Sequence, residues 1–258
     1  MRKIFPAGPA APDIRPDDVD ALAGLYAYPA ASSAPWLRAN MIESIDGAGS
    51  LGGRSGGLSG DADRLVFAVL RSLADVILVG AGTARAEKYR PVRQQEIWPK
   101  LRADGQRPTP PIAVVTRTLN LDLDGPLLSG ASGGARTIVL TTEAAPAGRR
   151  KAAAAHADVV VTGGDMVAPS AIVKELAARG YRNVLLEGGP ALLRQIVDAG
   201  LLDELCLTFS PVMEGGTAGR ILAPPDAPAG DGPVARLRLA DVLEDDGSLL
   251  CRYVRAAS

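Results

Sequence analysis

Short, unbroken apolar runs recur along this chain at Asp75–Gly80, Ile112–Thr116, Thr137–Thr141, Asp158–Thr162 and Asn183–Glu187. Runs of this length without polar alternation suit strands buried on both faces, as in a parallel sheet covered by helices. Helical spacing lies between several of them. Pro146–Ala155 is one such segment. The segment after Pro169 buries Ile172, Val173 and Leu176 and stops at Gly180. The segment from Pro190 buries Leu192, Leu193, Ile196 and Val197 and stops at Gly200. Proline at the start and glycine just past the end is the expected asymmetry of helix termini. The alternation predicts a three-layer α/β domain around a mixed, mostly parallel sheet.

The flanks refine that picture. Trp36–Ser44 reads as a strand entering a turn at Ile45-Asp46-Gly47, and Gly47–Gly60, with seven glycines, reads as a loop. Ser59 is positioned to cap a helix that carries Val66, Val69, Leu70 and Leu73 inward. Glu204–Val212, Val234–Ala240 and Ser248–Val254 read as strands; the last two have no helix between them, so antiparallel pairing is expected there. The first thirty residues, rich in Ala, Pro and Asp, read as an extension with one short helix within Asp17–Tyr28. Regular structure is expected to begin near Trp36, in one domain covering 31–258.

Composition excludes several classes. With 28 Lys and Arg against 29 Asp and Glu, the chain lacks the basic excess that phosphate-backbone binding needs, so no nucleic-acid partner is expected. One histidine, His156, and two distant cysteines, Cys206 and Cys251, cannot easily furnish a zinc site, and no metal is expected. The cysteines read as packed thiols in a reducing compartment. The N-terminal residues lack a signal-peptide core and no apolar run reaches spanning length, so a cytoplasmic protein without membrane contact is expected.

Open parallel sheets bind ligands at the carboxyl ends of their strands, so the residues after each run carry the functional interest. Gly188 and Gly189 precede a helix starting at Pro190, which suits either a tight turn or a pyrophosphate seat. Gly80-Ala-Gly-Thr-Ala-Arg has Arg85 in place of the third glycine of a Rossmann fingerprint. A Rossmann methyltransferase or NAD dehydrogenase is therefore disfavoured. Asp46 is either a turn-forming Asp-Gly residue or a cleft carboxylate. Glu87 is either solvated or part of the same edge. Arg64 and Arg71 share a helix face and, like Arg90 and Arg93, are either surface charge or a phosphate clamp.

Taken in order, S-I-D-G at Ser44–Gly47, A-D-V-I-L-V-G-A-G-T at Ala74–Thr83, P-I-A-V-V-T-R-T at Pro111–Thr118, L-L-E-G-G-P-A-L-L at Leu185–Leu193 and L-L-D-E-L at Leu201–Leu205 resemble one family. It is the dihydrofolate reductase-like reductase family of riboflavin biosynthesis, and the match runs from about Trp36 to Val254. The resemblance implies NADPH-dependent reduction of the ribosyl carbon in 5-amino-6-(5-phosphoribosylamino)uracil, a phosphorylated pyrimidine, by a homodimer. It implies Asp46 and Glu87 as catalytic carboxylates, Glu87 standing where the family usually has Asp. It implies cofactor contacts from Ile42, Gly82, Thr83, Thr118 and the turn Gly188, Gly189, Pro190, Ala191, Leu192 and Leu193. It implies substrate contacts from Ser55, Arg71, Arg93 and Glu187, with Arg71 preferred over Arg64. Arg117, just after a strand, is a candidate for the NADPH 2′-phosphate because a planar guanidinium suits that group; a plain surface arginine is its other reading. Gly57 stands where an aromatic residue often lies. Two alternatives stay open: a reductase of another heterocycle such as dihydrofolate, and a non-catalytic NADPH-binding protein.

Overall fold

The computed structural model describes residues 1–6, 14–15, 18–30, 34–130, 135–224 and 234–256. In chain order the elements are β1 (Arg2–Phe5), α1 (Val19–Leu25), β2 (Trp36–Ser44), α2 (Asp61–Leu73), β3 (Val76–Gly80), α3 (Ala81–Ala86) and β4 (Ile112–Val115). There follow α4 (Pro126–Ser129), β5 (Ile138–Thr141), α5 (Ala147–Ala154), β6 (Asp158–Val161), α6 (Pro169–Ala178) and β7 (Asn183–Leu186). The chain closes with α7 (Pro190–Asp198), β8 (Glu204–Ser210), β9 (Leu237–Asp245) and β10 (Ser248–Arg255).

All ten strands join one sheet in the order β1-β9-β10-β8-β2-β7-β3-β4-β5-β6. From β8 to β6 every pairing is parallel. The β10–β8, β9–β10 and β1–β9 pairings are antiparallel. Strand periodicity sorts the side chains into two cores. Ile77, Val79, Ile112, Val114 and Leu185 face α2, α3 and α4; Val76, Leu78, Ala113, Val184 and Leu186 face α6 and α7. The result is the three-layer, mixed sheet with antiparallel C-terminal strands that the apolar runs predict.

Several local expectations are corrected. Regular structure begins at Arg2, since β1 pairs with β9 at the sheet edge, and the beginning of the chain is no mere surface extension. Val19, Leu22 and Tyr26 are buried in the same core as Val66 and Leu70 of α2. The capping residue of α2 is Gly60, and no side chain caps it. Ser59 instead donates its hydroxyl to the Asp63 carboxylate. The stretch Ala81–Ala86, read above only for its glycine spacing, is helical, which places Glu87 at the helix C-terminus. Its alanines are good helix formers, and Ala81 and Ala84 pack into the core. The last connection, Gly215–Pro233, lies partly outside the described residues, and β9 starts at Leu237, later than expected. Cys206 and Cys251 are free and buried, as read. Among the described residues no helix is long and apolar enough to cross a membrane.

The C-terminal half carries charge inside. Arg38 of β2 and Glu204 of β8 are both fully buried, paired at 2.9 Å, and Trp36 Nε1 donates to the same carboxylate at 2.9 Å. Arg252 joins Glu204 at 2.7 Å to Asp241 at 2.9 Å, and Lys3 of β1 reaches Asp241 at 2.7 Å. Burial works to raise the Glu204 carboxyl, but Arg38 and Arg252 outweigh it and hold it below its usual value. The pair therefore contributes fully above the unfolded carboxyl range, about pH 4, and is lost as acid protonates the folded carboxylate.

Leu22 tests the integration of the N-terminal helix. Its side chain is fully buried, so Leu22→Ala should cost about 2–5 kcal/mol in urea unfolding. A peripheral appendage would leave the unfolding midpoint unchanged.

Candidate active site

β7 is the central strand, flanked by β2 on one side and β3 on the other, all parallel. Their carboxyl ends deliver Asn40–Ile42, Glu187–Gly189 and Gly80–Thr83 to one rim. The turn after β7 is locked there: Glu187 N–H donates to Leu78 O at 2.9 Å and Gly80 N–H to Gly188 O at 2.9 Å. Gly188 has φ +102°, a left-handed conformation that favours glycine. A Cβ on Gly189 would stand 2.3 Å from Thr83 Oγ1 and fill the gap between the two turns.

On one side of this turn a cleft of about 790 Å³ is lined by Gly82, Thr83, Arg117, Thr118 and Gly189–Leu192, among others. It is open, and α7 points its N-terminus into it. Leu193 makes the first backbone bond of that helix, to Gly189 O at 2.9 Å. The N–H groups of Ala191 and Leu192 thus have no intrahelical acceptor and, with the helix dipole, suit a pyrophosphate. Arg117 is exposed at the rim, while Arg85 is tied to Asn120 O at 2.6 Å.

On the other side two cavities of about 270 and 300 Å³ share Ile42, Ser55, Phe67, Glu87 and Tyr89. Glu187 lines the first of them and Arg71 the second. The Glu187 carboxylate accepts Arg71 Nε and a terminal guanidinium nitrogen, both at 2.7 Å, and Tyr89 Oη at 2.7 Å. Arg71 lies 4.2 Å above the Phe67 ring, one helical turn earlier on α2. Burial works against the Arg71 charge, and Glu187 outweighs it, leaving the guanidinium more firmly protonated than usual. Burial, then Glu187, pushes the Tyr89 hydroxyl up, so it remains a proton donor. Glu87 Oε1 accepts the N–H and hydroxyl of Ser55 at 2.8 and 3.0 Å. Its Oε2 has no protein hydrogen bond among the described residues.

Most of the expected residues meet at this rim, with three exceptions. Asp46 is exposed and lines neither the cleft nor the cavities. Its carboxylate accepts the Ser44 hydroxyl and the N–H groups of Glu214 (3.1 Å) and Gly215 (2.8 Å). The Ser44 bond first, then the two backbone N–H groups, pull its pKa down to about 2, the wrong direction for a proton donor. The turn reading of Asp-Gly prevails, with Gly47 at φ +88°. Arg93 is exposed and folds with Arg90 onto Glu96, away from the cavities, because the turn Gln94–Glu96 brings that carboxylate back. Leu193 is 2% exposed and packs with Ile196 in the core; the helical period turns it away from the cleft.

Tyr89, Phe67, Asn40 and Arg220 line the cavities without having been expected there. Phe67 had a usable signal, an aromatic four residues before Arg71. Arg220 had none, because it sits in a Gly/Pro/Ala-rich connection far along the chain from its cavity neighbours. Gly57 has no room for an aromatic ring without displacement, since even a Cβ there would meet Leu51 Cβ at 3.0 Å. Among the described residues no group of His, Cys, Asp or Glu is arranged to hold a metal ion.

The RibD C-terminal domain family matches residues 35–251. The chain belongs to that family. It is 30% identical over 184 residues to the 2,5-diamino-6-ribosylamino-4(3H)-pyrimidinone 5′-phosphate reductase of Archaeoglobus fulgidus, covering 70% of this chain and 83% of the relative. Its fold is similar to a pyrimidine reductase-like protein of Corynebacterium diphtheriae, with TM-score 0.80 at 25% identity over 92% of this chain and 99% of the other. A riboflavin biosynthesis reductase of Saccharomyces shares the architecture at TM-score 0.64 and 16% identity, covering 93% of this chain and 100% of the other. The family read from the motifs is therefore correct.

The buried Arg71–Glu187 pair yields a stability test. Arg71→Met should cost about 3–5 kcal/mol, because Glu187 is left buried without its cation. Adding Glu187→Gln to that variant should recover part of the loss in urea unfolding; additive losses would contradict a coupled pair.

Proposed function

We propose that the chain is an NADPH-dependent reductase of a ribosylaminopyrimidine 5′-phosphate. The observation that carries this reading is the Gly188–Gly189 turn, which separates an open cleft suited to a dinucleotide from a cavity bearing two carboxylates. The curated relatives act on the 2,5-diamino pyrimidinone. That compound differs from the 5-amino uracil counterpart read from the motifs by an amino group in place of the carbonyl oxygen on one ring carbon, and the sugar to be reduced is the same.

The residues present fit the cofactor. Gly82, Thr83 and the start of α7 would take its pyrophosphate, with the glycine cradle at Gly189 left unfilled by any side chain. Arg117 and Thr118 would take the 2′-phosphate, which makes NADPH the preferred form. Ile42 lines the first cavity with Gly188 and Thr83, the last of which also lines the cleft, and would abut the nicotinamide. When bound, the cofactor supplies a hydride to the electrophilic sugar carbon.

The chain supplies position and a proton. Glu87 is the residue to hold or deliver that proton through Oε2, since Ser55 occupies only Oε1. Glu187, fixed by Arg71 and Tyr89, would accept hydrogen bonds from the amino groups of the pyrimidine. Phe67 and Tyr89 wall the cavity and exclude water. Asp46 would act at a distance, by tying the end of β2 to the loop after β8. A homodimer and a cytoplasmic setting belong to the same reading and rest on the family alone.

Purified protein should oxidise NADPH in the presence of either ribosylaminopyrimidine 5′-phosphate, read as loss of reduced-nicotinamide absorbance. Turnover of dihydrofolate alone would sink the assignment. Glu87→Gln should lower kcat about 100- to 10,000-fold while the Kd for NADPH stays within a few fold. Arg117→Ala should raise KM for NADPH about tenfold and leave KM for NADH unchanged; an equal change in both would reject the 2′-phosphate contact.

A further inference from the structure

A phosphorylated substrate needs a cation, and the arginines expected to provide one are engaged elsewhere. Arg71 gives two nitrogens to Glu187, and Arg93 lies away from the cavity on Glu96. Arg64 borders the second cavity, but donates to Ser59 O and to Asp61, both at 2.8 Å. Arg54 borders neither cavity.

Arg220 is different. With Gly219 and Ile221 it lines the first cavity, whose two carboxylates are bonded elsewhere, Glu87 to Ser55 and Glu187 to Arg71 and Tyr89. Among the described residues its side chain makes no hydrogen bond or ion pair. Glu43, the carboxyl that feels its charge, is half-buried and does not line the cavity.

Its backbone is held at both ends. Gly49 N–H donates to Gly219 O at 2.8 Å, and a Cβ on Gly49 would meet that oxygen at 3.2 Å, so the approach is close. Three residues on, Ala223 N–H donates to Pro190 O at 3.2 Å, and Arg194 Nε donates to Ala223 O at 2.9 Å. The strap 219–223 therefore runs from the glycine-rich loop after β2 to the first turn of α7, and it presents one unpaired guanidinium to the cavity that holds Glu87.

We propose that Arg220 binds the 5′-phosphate of the substrate and sets the preference for phosphorylated over unphosphorylated compounds. This rests on the reductase reading above. A guanidinium fork matches a phosphate with two parallel hydrogen bonds, and Gly53 and Gly219, which line the same cavity, place no side chain there. Phosphate and reacting carbon are at opposite ends of the sugar, so anchoring one at Arg220 directs the other along the same cavity towards Glu87.

The test uses ribose 5-phosphate and ribose as calorimetric probes on the NADPH-loaded protein, alongside kinetics. Arg220→Gln should weaken ribose 5-phosphate binding about ten- to a hundredfold and leave ribose binding as it was. Arg220→Lys should fall between. KM for the phosphorylated substrate should rise in parallel, while KM for the unphosphorylated one stays constant. The inference is overturned if Arg220→Gln retains the phosphate preference, if both KM values rise equally, or if Arg64→Gln or Arg54→Gln shows the loss instead. It is also overturned if the unsubstituted protein does not favour ribose 5-phosphate over ribose. Should that protein reduce no ribosylaminopyrimidine, the reductase reading fails separately, and the binding arm still reports on Arg220.

Discussion

The site depends on a carboxylate held at the end of the central strand. Glu187 follows directly on β7, between β2 and β3, and satisfies its charge with Arg71 from α2 and the Tyr89 hydroxyl. These contacts join three separate segments at one atom group. Leaving out Arg71 or Glu187 would strand a buried charge, which costs far more than an exposed pair contributes. The next two residues carry the consequence. Because Glu187 is anchored, the Gly188–Gly189 turn is held against Gly80 and Thr83, and α7 starts with its N-terminus facing the open cleft. Structural charge burial and ligand geometry are here the same arrangement.

A second chain of charges organises the antiparallel half of the sheet. It passes from Arg38 through Glu204, Arg252 and Asp241 to Lys3, crossing β2, β8, β10, β9 and β1. It explains how β1, a short strand with mostly exposed side chains, keeps its place at the sheet edge. Burial of Leu22 and Tyr26 against α2 does the same for the first helix. Neither network touches the cleft directly. Their effect is to hold β2 and β8 in register, Asn40 opposite Cys206 and Ile42 opposite Thr208, so that the end of β2 reaches the rim at a defined height.

Much of the architecture was legible because it depends on local periodicity. The apolar runs of β3, β4, β5 and β7 and the proline-started helices α6 and α7 read directly, since a strand buried on both faces leaves little freedom of composition. The same reasoning located the rim, with the turns at Gly80–Thr83 and Glu187–Pro190 and Arg117 after β4, while Thr118, Ala191 and Leu192 came from the family resemblance. It failed for β1, whose pairing partner β9 is more than two hundred residues away, and for α3, where a glycine-containing stretch concealed a helix. It failed for Leu193 because a motif match does not distinguish the two faces of a helix. Asp46 and Arg93 were misplaced for a different reason. Each charge is satisfied by a neighbour, the loop around Glu214 or the Glu96 carboxylate, that no spacing rule reveals.

Sequence alone determined the fold class, the family and the list of chemically able residues, because hydrophobic period and turn glycines act over a few neighbours. Tertiary structure decided which of those residues remain free to meet a ligand. Arg71 and Arg220 are equivalent as letters, but one is neutralised against Glu187 and the other faces the cavity without a partner. That difference arises from segments brought together across more than a hundred residues, and charge pairing at that range exists only once the chain has folded.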